Sequence, residues 1–95
     1  KRAGENISAA EVEHAIMEMP QVKEAAVIGV ADPVRDEAVK AFVALEAGAH
    51  VSADEIRSFC AQRLADYKVP GFVVFVDALP KTSVGKVAKK LLREE

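Results

Sequence analysis

The chain has 95 residues, 51 % of them hydrophobic, so it can form one domain with an apolar core and is not expected to be disordered. Its net charge of −2 argues against a nucleic-acid-binding protein. The longest apolar run, residues 25–31, is much shorter than the about 20 residues that cross a bilayer, so no membrane span is expected. The single cysteine, Cys60, excludes an internal disulfide and a cysteine-based zinc site, and it favours a reducing, cytoplasmic setting.

The first predicted elements are a helix and two strands. Ser8 and Glu11 have the spacing of a capping box, and an apolar stripe follows at i, i+3, i+4 and i+7: Val12, Ala15, Ile16, Met19. Pro20 ends this helix. Residues 25–30 and 37–45 predict two buried strands, which are antiparallel because the polar connection between them is too short for a crossover helix.

The second half of the chain repeats the helix signal. Ser52 and Glu55 predict a second capping box, followed by a stripe at helical spacing: Ile56, Phe59, Cys60, Arg63, Leu64. This stripe favours Cys60 as a small core residue over Cys60 as a reactive thiol. Residues 72–76 predict a third strand, and residues 86–93 predict a short closing helix.

These elements predict one α+β domain spanning residues 1–95. The order is helix, strand, strand, helix, strand, helix. We expect a two-layer fold in which a small, mostly antiparallel three-stranded sheet carries about three helices on one face.

Charge and histidine placement give weak indications of a ligand. Residues 81–93 contain five lysines or arginines and no acid, which suggests an anionic partner for this basic tail. On charge alone, a solvated helix that complements its own dipole is the favoured interpretation. No metal site is expected, because His14 and His50 have no second histidine or cysteine at ligand spacing.

The most informative string is Leu-Pro-Lys-Thr-Ser-Val-Gly-Lys at residues 79–86. It is not a phosphate-binding P-loop, since Pro80 stands where that loop needs glycine and Val87 stands where it needs serine or threonine. What remains is Lys86, directly after a flexible, hydroxyl-rich loop. Such a lysine is a mobile cation suited to a phosphate or a carboxylate.

This string resembles the last core motif of the adenylate-forming superfamily, which includes acyl-CoA synthetases, peptide-synthetase adenylation domains and luciferases. Residues 1–13 resemble the family segment that follows the interdomain hinge, and residues 22–32 and 64–70 resemble two further family segments. The resemblance covers essentially the whole chain in order. It implies the C-terminal lid domain of an ATP-dependent acyl-CoA ligase, without the N-terminal domain that binds ATP and the acyl group.

The resemblance also implies roles for single residues. In the family, a carboxylate reacts with ATP, accompanied by Mg²⁺, to give an acyl-adenylate, and the acyl group then passes to the thiol of coenzyme A. Lys86 is implied as the catalytic lysine of the first step. Gly4 is implied to let the backbone approach the pantetheine arm of coenzyme A, with Lys1 and Asn6 near the adenylate. An ordinary turn at Gly4 and a frayed terminus at Lys1 are the alternatives.

The implied partners are the protein's own N-terminal domain, a small carboxylic acid, ATP and coenzyme A. The isolated chain is expected to be inactive and to hold no cofactor. Residues 28–43 resemble crotonobetaine/carnitine-type and related short- or medium-chain ligases, although Asp36 stands where many members have glycine. Two other functions stay open. One is the lid of a peptide-synthetase-type adenylation domain that loads a carrier protein, and the other is a non-catalytic module that binds an anion or a protein.

Overall fold

The computed structural model describes residues 9–32, 34 and 36–93. In chain order, its elements are α1 (Ala9–Met17), β1 (Val22–Asp32), β2 (Asp36–Leu45), α2 (Ala53–Ala61), a 3₁₀ turn (Asp66–Lys68), β3 (Phe72–Phe75) and α3 (Lys89–Arg93). The described residues form three α-helices and one three-stranded sheet, which confirms the predicted α+β class. Ser8, the expected cap of the first helix, lies outside the described residues.

The helix boundaries follow the local signals. α1 ends at Met17. The N–H groups of the next two residues donate to carbonyls three positions earlier, which tightens the last turn, and Pro20 has no N–H with which to continue the helix. α2 begins with the predicted capping box. The Ser52 hydroxyl accepts the Glu55 N–H at 3.0 Å, and the Glu55 carboxylate accepts the Ser52 N–H at 2.7 Å.

The sheet has the strand order β1-β2-β3 and mixed strand directions. β1 and β2 form an antiparallel hairpin in which Val27 lies opposite Ala41. β3 pairs parallel to β2, with Phe72 opposite Lys40, because the connection from β2 to β3 contains α2 and is long enough for a crossover. β1 starts earlier than predicted, at Val22, since pairing with β2 extends the strand beyond its apolar run.

The sheet buries side chains on both faces, because successive residues of a strand point to opposite sides. On what we call the helix face, strand residues pack against α1 and α2: Val27, Val39, Ala41, Val43. On what we call the C-terminal face, strand residues pack against the C-terminal segment: Ala26, Ile28, Phe42 against Leu79 and Leu92. The expectation of helices on one face is therefore incomplete, since β1 and β2 are apolar on both sides and the second side needs a cover.

The closing helix is shorter than the sequence predicts. It spans Lys89–Arg93 and not residues 86–93, because Val87 forms an isolated antiparallel bridge with Lys81. Lys86 therefore belongs to a loop and not to the first turn of a helix.

Candidate functional site

The chain between β3 and α3 contains a closed loop, residues 80–88, which we call the Lys86 loop. Its two stems meet in the bridge between Lys81 and Val87. The Ala88 N–H also donates to the Pro80 carbonyl at 2.8 Å. Backbone hydrogen bonds within the domain therefore close the loop.

The tip of the loop is organised around Thr82. The Gly85 N–H donates to the Thr82 carbonyl at 2.9 Å, and the Thr82 N–H donates to the Lys86 carbonyl at 2.6 Å. The Thr82 hydroxyl accepts the Lys86 N–H at 3.2 Å. Gly85 has a φ of 88°, and a Cβ there would meet nothing within 4 Å, so the backbone conformation and not a lack of space favours glycine.

The Lys86 side chain is exposed at the end of this turn. Among the residues that the structure describes, no acid forms an ion pair with its ammonium group. The lysines on either side differ: Lys81 Nζ lies 3.0 Å from a carboxylate oxygen of Glu24, and Lys89 Nζ lies 2.7 Å from one of Glu13. With respect to the described acids, the Lys86 ammonium is therefore available to another anionic group.

Buried leucines hold the loop at both ends. Leu79 precedes the loop and is 4 % exposed, and Leu92 follows it on α3 and is 3 % exposed. Both pack on the C-terminal face against Phe42. An exposed lysine thus stands on a segment whose ends are part of the core.

The other predicted candidates have different outcomes. Gly4, Lys1 and Asn6 lie outside the described residues. Cys60 is fully buried, and burial raises the pKa of its thiol, opposed in part by the positive charge of Arg63. The interpretation of Cys60 as a core residue is confirmed.

The described residues carry neither a metal-ligating cluster nor a membrane-spanning helix. No group of three or more histidine, cysteine, aspartate or glutamate side chains there is arranged to hold a metal ion. None of the described helices combines the length and the hydropathy that a membrane crossing needs.

Sequence reasoning missed the two acids that contact the stems of the loop. Glu13 lies on α1 and Glu24 lies on β1, near the opposite end of the chain from their lysine partners. Their spacing in the sequence carries no signal of these contacts. Only the packing of α1 and β1 beside the C-terminal segment brings the partners together.

The comparisons with known proteins agree with this geometry. Residues 11–86 match the family model of the AMP-binding enzyme C-terminal domain. The chain belongs to this family. A crotonobetaine/carnitine–CoA ligase of Proteus mirabilis is 47 % identical over 93 residues, which are 98 % of this chain and 18 % of that protein.

Solved structures of the family superpose closely on the domain. An acyl-CoA synthetase of Brucella canis gives a TM-score of 0.89 at 41 % identity, over 98 % of this chain and 18 % of that one. An amide bond synthetase from Marinactinospora thermotolerans gives a TM-score of 0.90 at 39 % identity, over 94 % of this chain and 18 % of that one. The chain therefore spans about a fifth of the length of the proteins that it matches, and the predicted family is confirmed.

Proposed function

We propose that this chain is the mobile C-terminal domain of an ATP-dependent, AMP-forming carboxylate–CoA ligase, in which Lys86 acts in acyl-adenylate formation. The observation that carries the proposal is the exposed Lys86 ammonium on a closed loop, without an acidic partner in the described part of the chain. Such a cation suits substrates that bring several negative charges. Membership of the family and similarity to CoA ligases support the proposal.

In the first half-reaction, a carboxylate oxygen attacks the α-phosphorus of ATP and pyrophosphate leaves. Both reactants are anions, so their approach is opposed by charge repulsion. A lysine placed between the carboxylate and the α-phosphate offsets this repulsion and the charge that develops during attack. Losing one preorganised contact of this kind typically costs a factor of about 10²–10³ in rate.

In the second half-reaction, the thiol of coenzyme A attacks the acyl carbonyl carbon and AMP leaves. We assign this step to the segment that carries Gly4, with Lys1 and Asn6 near the adenylate. Since glycine has no Cβ, its backbone can approach the pantetheine arm closely. Lys86 has no role in this step, because the domain presents a different surface to the active site.

The domain works with other parts of its own protein and with small molecules. The protein's own N-terminal domain binds ATP and a small carboxylic acid, of the kind that its crotonobetaine/carnitine–CoA ligase relatives are named for. The 95 residues alone are inactive, and a cytoplasmic setting fits the single cysteine. Since the described residues contain no metal-ligating cluster, no part in binding the Mg²⁺ that accompanies ATP is assigned to them.

The test uses the full-length ligase and the Lys86→Ala variant. Carboxylate-dependent pyrophosphate exchange should fall by a factor of about 10²–10³, while thioester formation from presynthesised acyl-adenylate stays unchanged. Lys90→Ala is the matched control, because Lys90 is also exposed and also has no ion pair among the described acids. Unchanged exchange in Lys86→Ala would refute the assigned role and favour a non-catalytic module.

A second variant separates the two half-reactions. Gly4→Leu should leave pyrophosphate exchange intact and block thioester formation, because a side chain would fill the path of the pantetheine arm. Loss of both activities would argue against two separate roles.

The acceptor is tested by competition, since an amide bond synthetase is also among the structural neighbours. We expect coenzyme A to release the acyl group from the adenylate. Transfer only to a carrier protein, or only to an amine, would replace this part of the proposal.

A further inference from the structure

Two ion pairs join the stems of the Lys86 loop to the first half of the domain. Lys81, on the entering stem, pairs with Glu24 of β1 at 3.0 Å. Lys89, just beyond the leaving stem, pairs with Glu13 of α1 at 2.7 Å. The loop that carries Lys86 is therefore tied on both sides to elements near the other end of the chain.

The Glu13 carboxylate makes a second contact that fixes it to the sheet. Its Oε2 atom accepts the backbone N–H of Val27 at 2.8 Å, and the contact is partly buried. Among the described strands β1 lies at the edge of the sheet, so its outward N–H groups have no described strand to bond. Glu13 thus satisfies one edge N–H of β1 and binds the Lys89 ammonium with the same oxygen.

The hydrogen bonds within the loop fix its shape but not its orientation on the domain. Its orientation depends on the apolar contacts of Leu79, Leu92 and the partly buried Val87 and on the two ion pairs. These packed apolar contacts fix the position of the segment, and an ion pair with an anchored carboxylate also restricts the direction in which the loop points. Lys89 lies three residues beyond Lys86. Its ion pair with Glu13 is the more firmly anchored of the two ion pairs, because the Glu13 carboxylate also accepts the Val27 N–H.

We infer that Glu13, assisted by Glu24, is a positioning residue for Lys86 in acyl-adenylate formation. This inference rests on the proposed function of Lys86. Neither acid touches a substrate. Each holds one stem of the loop, so that the Lys86 ammonium reaches the carboxylate and the α-phosphate without a search for the correct orientation. A displacement of about 1 Å at a reacting centre can cost a factor of about 10² in rate.

The positioning role is separable from a contribution to stability. The side chains of Glu13 and Lys89 are 24 % and 29 % exposed, so their ion pair is partly buried and its loss lowers stability modestly as well. An effect on the orientation of the loop, in contrast, is expressed only in the half-reaction that uses Lys86.

The experiment compares single variants of the full-length ligase. Glu13→Gln keeps an oxygen that can accept the Val27 N–H but removes the charge that attracts Lys89. We expect the kcat of pyrophosphate exchange to fall about 10-fold, with unchanged KM values for ATP and carboxylate and unchanged thioester formation from presynthesised acyl-adenylate. Glu24→Gln should lower the same kcat about 3-fold, since its ion pair is longer and more exposed.

Glu18→Gln is the matched control. Glu18 follows α1 directly and pairs with Arg63 at 2.9 Å, but this ion pair has no connection to the Lys86 loop. Its removal should leave both half-reactions unchanged. An equal loss of exchange in Glu18→Gln and Glu13→Gln would overturn the inference.

A double-mutant cycle tests whether Glu13 acts through Lys89. If the two residues act as one ion pair, Glu13→Gln combined with Lys89→Gln should lower exchange no further than the more impaired single variant. Independent contributions would multiply and would refute the mechanism.

Lys86→Ala, measured in the same series, keeps the two proposals distinguishable. If Lys86→Ala loses exchange and Glu13→Gln keeps it, the positioning role is wrong and the role of Lys86 stands. If Lys86→Ala keeps exchange, the proposed function fails and the inference fails with it. If Glu13→Gln slows both half-reactions equally, Glu13 is structural and the inference is wrong.

Discussion

The two faces of the sheet are covered in different ways. On the helix face, α1 and α2 contribute side chains that are completely buried, among them Val12, Ile16 and Ile56. On the C-terminal face, an irregular segment and the short helix α3 contribute Leu79 and Leu92, while neighbouring valines are only partly buried. Less apolar surface is therefore removed from water on the face that supports the Lys86 loop.

The difference in burial suggests that the helix face mainly stabilises the fold and that the C-terminal face mainly supports the proposed site. The helix face holds most of the core, and its interior meets nothing outside the domain. The C-terminal face supports the loop whose lysine we propose to contact the substrates, and regions with fewer buried contacts open more readily. The ion pairs of Glu13 and Glu24 compensate for this sparser packing by restricting the orientation of the segment. Substitutions on the two faces should accordingly affect different measurements.

The largest effect on stability is expected on the helix face. Ile56 is completely buried, so Ile56→Ala should lower the free energy of unfolding by about 2–5 kcal/mol, measured by urea unfolding of the chain. Pyrophosphate exchange by the folded full-length ligase should not change. Leu91→Ala is the control, because Leu91 is 51 % exposed, and its unfolding free energy should stay within about 0.5 kcal/mol of the original.

Leu92→Ala tests the C-terminal face. We expect a smaller loss of unfolding free energy, about 2 kcal/mol, because the surrounding cluster is smaller and can relax into the space. Pyrophosphate exchange should also fall, since Leu92 holds the helix on which Lys89 lies. Intact exchange in this destabilised variant would show that the loop does not depend on the C-terminal face for its orientation.

Two glycines with matching geometry sharpen the comparison further. Gly85 and Gly48 have φ values of 88° and 78°, and a Cβ would meet nothing within 4 Å at either position. Alanine at each should cost about 1 kcal/mol of unfolding free energy through backbone strain. Only Gly85→Ala should slow pyrophosphate exchange, because only Gly85 shapes the Lys86 loop. Equal exchange rates in the two variants would contradict the assignment.

The smallest effect concerns pH and the helix face. Burial raises the pKa of the Cys60 thiol above its ordinary value of 9.0, so the folded chain favours the neutral thiol. This contribution to stability is complete below the unfolded pKa and is lost as the pH rises through the folded pKa. The unfolding free energy of the original chain should decline in that range more steeply than that of Cys60→Ala. Parallel declines would show that Cys60 does not contribute.

Much of the fold could be predicted from local patterns. The spacing of Ser52 and Glu55 predicted the start of α2, and its apolar stripe predicted the burial of Cys60. These signals work because a capping box and a helical stripe involve residues within a few turns of each other. The parallel pairing of β3 was not predicted, since strand order depends on how the whole chain wraps around the core.

The candidate site could be predicted in part. The motif at residues 79–86 identified Lys86, and the failure of the P-loop pattern at Pro80 and Val87 excluded a common misreading. The start of the closing helix was predicted three residues too early. The alternation of charged and apolar residues at positions 86–93 is compatible with a helix. Val87, however, pairs with Lys81 in a β-bridge, so the helix begins only at Lys89.

The sequence alone determined the local elements, the apolar patterns of both faces of the hairpin and the type of residue that the loop presents. Each of these depends on neighbours along the chain. The tertiary structure decided which lysines of the C-terminal segment form ion pairs within the described part of the chain and which, like Lys86, do not. Glu13 and Glu24 pair with Lys89 and Lys81 because the C-terminal segment packs beside α1 and β1, whereas Lys86 pairs with no acid among the described residues. Electrostatic attraction depends on the distance between two charges, and these lysines and acids, which are far apart in the sequence, come close only when the chain folds.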